Sequence, residues 1–290
     1  MTGIIRHCLL VTSLLYSLCL GGCSAIRLGY EQSPTLLYWW LDNQLDFSHT
    51  QAPLVREALT RLQAWHRKQQ LPDLAELLGH MATLAEGPVT EIQVCQIAQQ
   101  LQNHSTRLAN EAVRLGTPVA QTIDARQRQH LTSQWARQNA KWQEEWLQAP
   151  PEQRLQRRTD KALERYTDFY GTLTPSQVAL VRRQVMQSVW TPEWGQQEMR
   201  RRQHLVSEAL TAIGQGARDA TDTEDRLRSI WPQIVEPPES ASRERMNGWL
   251  AQSCQYIAEM HNSTRPEQRQ RAARRLRAYE KDLLELASRT

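Results

Sequence analysis

The sequence predicts an all-α fold, a multi-helix bundle, on three observations. Apolar residues recur every three or four positions along most of the chain, which is the period of a helix with one buried face. The alternating pattern of half-buried strands is missing. Gly and Pro fall at intervals, as punctuation between periodic stretches rather than within them.

Caps and stripes place the elements in order. Ser33-Pro34 opens a first helix, with Leu37, Trp40, Leu41 and Leu45 expected on its buried side. Ser48 and Gln51 can box a second helix that would bury Leu54, Ala58, Leu62 and Trp65. Periodic runs follow at Leu74 to Leu84, Ile92 to Leu115, Leu131 to Leu147 and Pro151 to Tyr170. Thr174-Pro175-Ser176-Gln177 combines a capping Thr, Pro at the first helical position and Gln at the third, and it opens the stripe Val178, Val181, Val185, Val189. Thr191-Pro192 starts the next helix in the same way, and Gln196 to Ile213, Thr223 to Val235, Arg243 to Met260 and Pro266 to Ala287 complete the chain. Breaks are expected at Gly87-Pro88, Gly116-Thr117-Pro118, Pro150-Pro151, Gly214 to Gly216 and Pro237-Pro238. No repeat of 30 to 50 residues suggests a solenoid. The body therefore reads as a helical domain over residues 33–215, followed by carboxy-terminal helices over 216–290 that can pack on the same domain.

The ten tryptophans are unevenly placed. Leu131, Trp135, Trp142 and Trp146 share one helical face, and a buried seam is a better expectation than a ligand cage, because indoles at helical spacing bury large area where helices cross. Trp39 and Trp40 are adjacent, so they point about 100° apart and cannot both enter one narrow stripe. Tyr38, Trp39, Trp40 and Asp42, together with Trp65 and His66, therefore form the candidate binding surface, in competition with a second helix that covers the other indole.

The amino terminus has the form of a secretory leader, with Arg6 and His7, an apolar run from Cys8 to Leu20, then small residues. That run falls short of the ~20 residues needed to span a bilayer. Leu20-Gly21-Gly22-Cys23 resembles the bacterial lipobox, which implies a signal peptide over residues 1–22, lipidation of Cys23 and a tether over residues 23–32. Several acyl chains on one residue make a lasting anchor, whereas one binds marginally. Ser24, rather than Asp, follows the lipidated position, which by analogy points to the outer membrane with the body in the periplasm.

The chain has 35 Lys and Arg against 31 Asp and Glu, and the leader removes one Arg, so the body is nearly neutral and lacks the basic excess of a nucleic-acid binder. Once the leader and Cys23 are set aside, Cys95 and Cys254 remain, as a disulfide or as buried thiols. No phosphate loop, nucleophile elbow or metal-binding motif appears; Glu76 and His80 are one turn apart, but a single such pair is weak, and neighbouring Glu144 and Glu145 diverge on a helix. No catalytic residue, metal or cofactor is expected. The Arg-rich last helix, with Leu276, Tyr279, Leu283 and Leu286 as its buried stripe, reads as a solvated face, with an anionic envelope component as the alternative partner.

Arg27-Leu28-Gly29-Tyr30, Tyr38-Trp39-Trp40-Leu41-Asp42, Leu62-Gln63-Ala64-Trp65-His66 and Pro150-Pro151-Glu152-Gln153-Arg154 together resemble a family of proteobacterial lipoproteins of unknown function, over roughly residues 20–215. That resemblance implies no reaction and no catalytic residue. Leu173-Thr174-Pro175-Ser176-Gln177 is also similar, once, to the Leu-Thr-x-x-Gln motif of small helical periplasmic chaperones, although a helix cap is the better explanation of it. The expected function is a non-enzymatic binding or chaperone-like role for an envelope protein, and the alternative is a cell-wall hydrolase whose carboxylates come from distant helices.

Overall fold

The computed structural model describes residues 22–216 and 219–289, with side chains from Ile26 onward. The stretch expected to be a leader, through residue 21, and the side chain of Cys23 lie outside the described residues. Among the described residues every regular element is helical: α1 (Gly22–Glu31), α2 (Ser33–Leu45), α3 (Gln51–Gln69), α4 (Leu71–Leu84), α5 (Glu91–Ala120), α6 (Ala125–Trp142) with a π-helical turn (Gln143–Leu147), α7 (Pro151–Tyr170), α8 (Pro175–Gln187), α9 (Pro192–Gly216), α10 (Ala220–Arg228), α11 (Ile230–Val235), α12 (Ser240–Asn262) and α13 (Pro266–Ala287). The fold is an all-α multi-helix bundle.

Two reciprocal glutamine pairs organise the bundle. Gln51 Nε2 donates to Gln127 Oε1 (3.0 Å) while Gln127 Nε2 donates to Gln51 Oε1 (2.8 Å). Each amide also serves its own helix start, accepting the backbone N–H of Ser48 or Asp124. The remaining donor of each reaches across to a backbone carbonyl, Gln51 to Thr122 and Gln127 to Asp46. Gln177 and Gln268 repeat this network: reciprocal bonds of 2.9 and 3.1 Å, acceptance from the N–H groups of Thr174 and Arg265, and donation to Ser263 and Thr172. All four amides are buried and satisfied, as burial requires.

Matched on these pairs, the order and contacts of the helices read as two copies of one unit. α2, α3, α4, α5 and α6 correspond to α7, α8, α9, α12 and α13, with α10 and α11 inserted in the second copy. The copies interlock, because α4 lies along α13 whereas α9 lies along α6. Ala82 and Ala85 pack with Ala273 and Leu276 at one crossing, and Leu210 and Ile213 pack with Leu131 at the other. Cys95 in α5 and Cys254 in α12 form a disulfide, S–S 2.13 Å, that joins the two halves.

Several details differ from the sequence expectation. The carboxy-terminal helices pack on the amino-terminal ones, α13 along α4 and α12 along α5, an arrangement the sequence left open. The stretch expected as a tether is helical from Gly22, and Arg27 anchors it on α13 through ion pairs with Asp282 (3.2 Å) and Glu285. The buried side of α2 is Tyr38 and Gln44, with Leu41 and Leu45 half-buried, while Leu37 and Trp40 face outward. On α3 the inward residue is Val55, whereas its neighbour Leu54 is exposed. α5 continues through Gly116 and Pro118: the proline removes only the one bond its own N–H would have made to the preceding turn, and Thr117 Oγ1 donates back to Val113 O.

Candidate functional site

α7 supplies the floor of a groove. Arg158, Lys161, Ala162, Arg165, Tyr166 and Phe169 recur at three- and four-residue spacing, so they share one face. At one end that face borders a cavity of about 460 Å³, walled by Met81 and Leu84 of α4 and Ala85 just after it, Val94 and Ile97 of α5, Ile257 and His261 of α12, and Ala272 and Leu276 of α13. At the other end Trp142, Trp146, Trp190, Trp249 and Tyr256 line a space of about 530 Å³ around Arg158, Lys161 and Arg165. Trp142, Trp190 and Trp249 continue into a third recess with Trp194, Gly195, Met199 and Met246.

The aromatic end is tightly built. Trp142 and Trp146 stack at 5.6 Å, and Trp142 meets Trp190 edge-on at 6.5 Å. The π-helical turn carries the chain from one indole to the next. Trp142 Nε1 donates to Pro192 O at 3.2 Å, which gives the half-buried indole the partner it needs. Gly195 permits the approach of α9, since a Cβ there would lie 3.0 Å from Trp190 Cζ2 and 3.1 Å from Trp142 Cζ2. The cations sit on these rings: Lys161 Nζ is 4.7 Å from the Trp146 centroid, Arg158 Cζ is 5.4 Å from Trp190 and Arg245 Cζ is 5.1 Å from Trp194. Arg158 donates to the carbonyls of Val185 and Trp190, and burial lowers its pKa.

The cavity end holds a polar pair. His261 Nε2 lies 2.8 Å from Gly87 O, which can only accept, so Nε2 carries the proton. Nδ1 is then the acceptor for the Tyr170 hydroxyl at 3.0 Å. Burial lowers the His261 pKa and raises that of Tyr170, while Tyr166 is pushed up to about 12, mainly by burial. Both members of the pair are thus neutral at neutral pH. The chemistry available is hydrogen bonding and apolar contact; neither residue is set up as a nucleophile or an acid.

The residues singled out in the sequence do not converge. Trp39 and Trp40 are 60% and 58% exposed, so neither is covered by a second helix. Tyr38 faces inward, beneath the Arg56 guanidinium at 3.6 Å and beside Phe47, because the inward stripe of α2 is offset from the one expected. Asp42 ends α2, accepting the Phe47 N–H at 3.0 Å. His66 turns to Tyr30 (3.2 Å), with its pKa lowered by burial and by His104, and Trp65 beside it is half-buried. The arginines of α13 largely bind their own chain: Arg275 contacts Tyr279 and Asp168 O, Arg277 contacts Glu280 and Thr83, and Arg269 contacts Thr264. His80 and Glu76 are exposed, and no cluster of three or more His, Cys, Asp or Glu that could hold a metal ion occurs among the described residues. No described helix is long and apolar enough to cross a membrane. Tyr170, His261 and the cations of α7 were not singled out from the sequence; the available signal was the i, i+3, i+4 run of Arg158, Lys161, Arg165 and Tyr166.

Residues 43–235, about two thirds of the chain, match a family of unknown function, DUF6279. The chain belongs to this family. The matched region contains α7 with Trp142, Trp146, Trp190 and Trp194 of the groove, and it ends before Trp249 and before His261, Ala272 and Leu276, which complete the cavity. No curated protein and no solved structure matches the chain.

Proposed function

We propose that this DUF6279 member is a lipoprotein of proteobacterial type, held by lipid on Cys23 at the outer membrane with its body in the periplasm, and that it binds a partner rather than transforming it. The lipobox-like Leu20-Gly21-Gly22-Cys23 supports the address. The observation that carries the binding role is the open groove along α7, lined by indoles and by Arg158, Lys161 and Arg165, which form no ion pair with a carboxylate among the described residues. Apolar walls with a few convergent polar groups are the usual make-up of a binding site. A cell-wall glycosidase of the usual kind uses two carboxylates facing one substrate bond. Among the described residues the groove is lined by one carboxylate, Glu198, and Arg201 binds it at 2.7 Å. The groove suits apolar or acylated envelope components and aromatic-rich segments of unfolded envelope polypeptides, which gives the protein a chaperone-like part.

The test pairs two assays on the full chain. Purified protein should slow aggregation of an unfolded envelope client, and Trp249→Ala, which removes a partly exposed groove indole, should weaken that effect. Digestion of purified peptidoglycan should give no products. Wall cleavage abolished by one carboxylate substitution would overturn the reading.

A further inference from the structure

The two copies of the unit treat one equivalent space differently. Counted from the paired glutamines Gln127 and Gln268, Leu131 stands where Ala272 stands, Trp135 where Leu276 stands, and Ala120 where His261 stands. Counted back from the left-handed helix ends Asp46 (φ 51°) and Gly171 (φ 75°), Leu45 stands where Tyr170 stands. In the first copy these residues close on Val206, Leu210, Ile213 and Leu227 as an apolar cluster. In the second copy Ala272 and Leu276 leave a cavity of about 460 Å³, and the Tyr170–His261 pair forms part of its wall.

We propose that this cavity holds a single apolar chain whose anionic head lies at Arg165. The proposal rests on the reading of the α7 groove as a binding surface and names the ligand class for its apolar end. A space that in one copy is filled by the chain's own apolar side chains is shaped for apolar matter, and its volume lies within the ~300–1,000 Å³ of small-molecule sites. The polar pair in the wall asks nothing of a ligand, because Tyr170 donates to His261 and His261 donates to Gly87 O. Polarity enters at the mouth. Arg165 lines both the cavity and the aromatic end, is exposed, and has no carboxylate partner among the described residues. Lys161 lies one turn away on the same face, so the mouth is cationic. An amphiphile with a negative head matches both features, whereas a neutral or cationic one leaves Arg165 unanswered.

The deciding experiment uses the full chain in zwitterionic nanodiscs with photoreactive dodecyl phosphate, photoreactive dodecanol, and a photoreactive anionic phospholipid built into the disc. Labelling by dodecyl phosphate should map to the α5 and α7 segments that line the cavity and exceed that by dodecanol by roughly tenfold, the worth of one modest charge contact. Ala272→Leu and Leu276→Trp install the residues of the filled copy and should lower labelling by about tenfold or more, with thermal melting showing that each variant folds. Arg165→Gln, an exposed change that keeps the fold, should bring dodecyl phosphate down to the level of dodecanol. Labelling of the cavity by the phospholipid as well would support the same site and name the bilayer as the source. Cavity labelling that survives both filling substitutions, equal labelling by alcohol and phosphate, or no cavity labelling at all would overturn the proposal. Client protection that persists without cavity labelling would sink this inference alone; cavity labelling without client protection would leave it standing and remove the chaperone-like part.

Discussion

Gln177 and Gln268 hold each other by two amide hydrogen bonds, 2.9 and 3.1 Å, while each also closes the first turn of its own helix. Truncating either one leaves the other's buried amide and two backbone groups short of partners. Each unsatisfied group costs ~1–3 kcal/mol. Gln177→Ala should therefore lower unfolding stability by several kcal/mol, and Gln51→Ala should do the same in the other copy. The double variant Gln177→Ala/Gln268→Ala should cost less than the sum of its singles, because a group whose partner is already gone has less to lose. Denaturant midpoints of the four proteins decide it; strict additivity would mean that the pair is not coupled.

The Cys95–Cys254 disulfide joins α5 to α12 across a sequence separation of 159 residues. In the chain-entropy account a loop of that length stabilises the folded state by up to about 5 kcal/mol. Reduction, or Cys95→Ser with Cys254→Ser, should lower the melting temperature markedly while far-ultraviolet circular dichroism at 20 °C stays helical. An unchanged melting temperature after verified reduction would refute the account.

Much of this fold can be read from particular residues. Thr174-Pro175-Ser176-Gln177 announces a helix start because a capping oxygen, an imino acid and a reaching amide each answer an orphan backbone group, and the start of α8 is there. The repeat was harder to see. Ser48-His49-Thr50-Gln51-Ala52-Pro53-Leu54-Val55-Arg56 and Thr174-Pro175-Ser176-Gln177-Val178-Ala179-Leu180-Val181-Arg182 align without a gap, yet they lie in units far longer than solenoid repeats and share chiefly cap and core positions. The site was less legible still. Its cavity depends on Ala85, Ala162 and Ala272, and an alanine that leaves a space reads in the sequence like an alanine, such as Ala82, that fills a tight crossing.

Stability should fall as the pH drops from 7 towards 5, partly through His261. Burial holds its folded-state pKa below the ordinary value of 6.5, so the unfolded chain binds the proton more readily. Its contribution is complete above the unfolded pKa and is lost progressively as the pH falls from there towards the lower folded value. His66, depressed by burial and by His104, works in the same direction. His261→Gln should flatten the slope of stability against pH between 7 and 5, measured by denaturant midpoints at each pH. A slope identical to that of the unaltered chain would exclude His261 as a source.

Mature protein should begin at an acylated Cys23 and sediment with membranes. The amino-terminal peptide decides this by mass: a Cys23 residue without added lipid, or a retained leader, would remove the anchor from the proposal. Cys23→Ser should release the body, since among the described residues no helix can span a bilayer.

Tryptophans of this chain divide by burial, and the division can be measured. Trp194 is 4% exposed and lies against Trp249 (6.1 Å) and the Arg245 guanidinium, so Trp194→Ala should cost ~3–5 kcal/mol, the usual penalty for emptying a packed aromatic site. Trp39 and Trp40 stand outside, with Leu36 and Leu37 exposed beside them, and their removal takes away little buried area. Trp39→Ala and Trp40→Ala should each leave the melting temperature within a degree or two, as surface changes worth less than ~0.5 kcal/mol do. The outward stripe of α2 follows closely after Cys23, the residue proposed to carry the lipid, and indoles with an apolar body and a polar edge fit the headgroup boundary of a bilayer. The same two variants should therefore weaken association with vesicles when Cys23 is replaced by Ser, although stability is unchanged. A loss of several degrees on replacing either indole would instead make it part of the packed body and leave α2 without a free face.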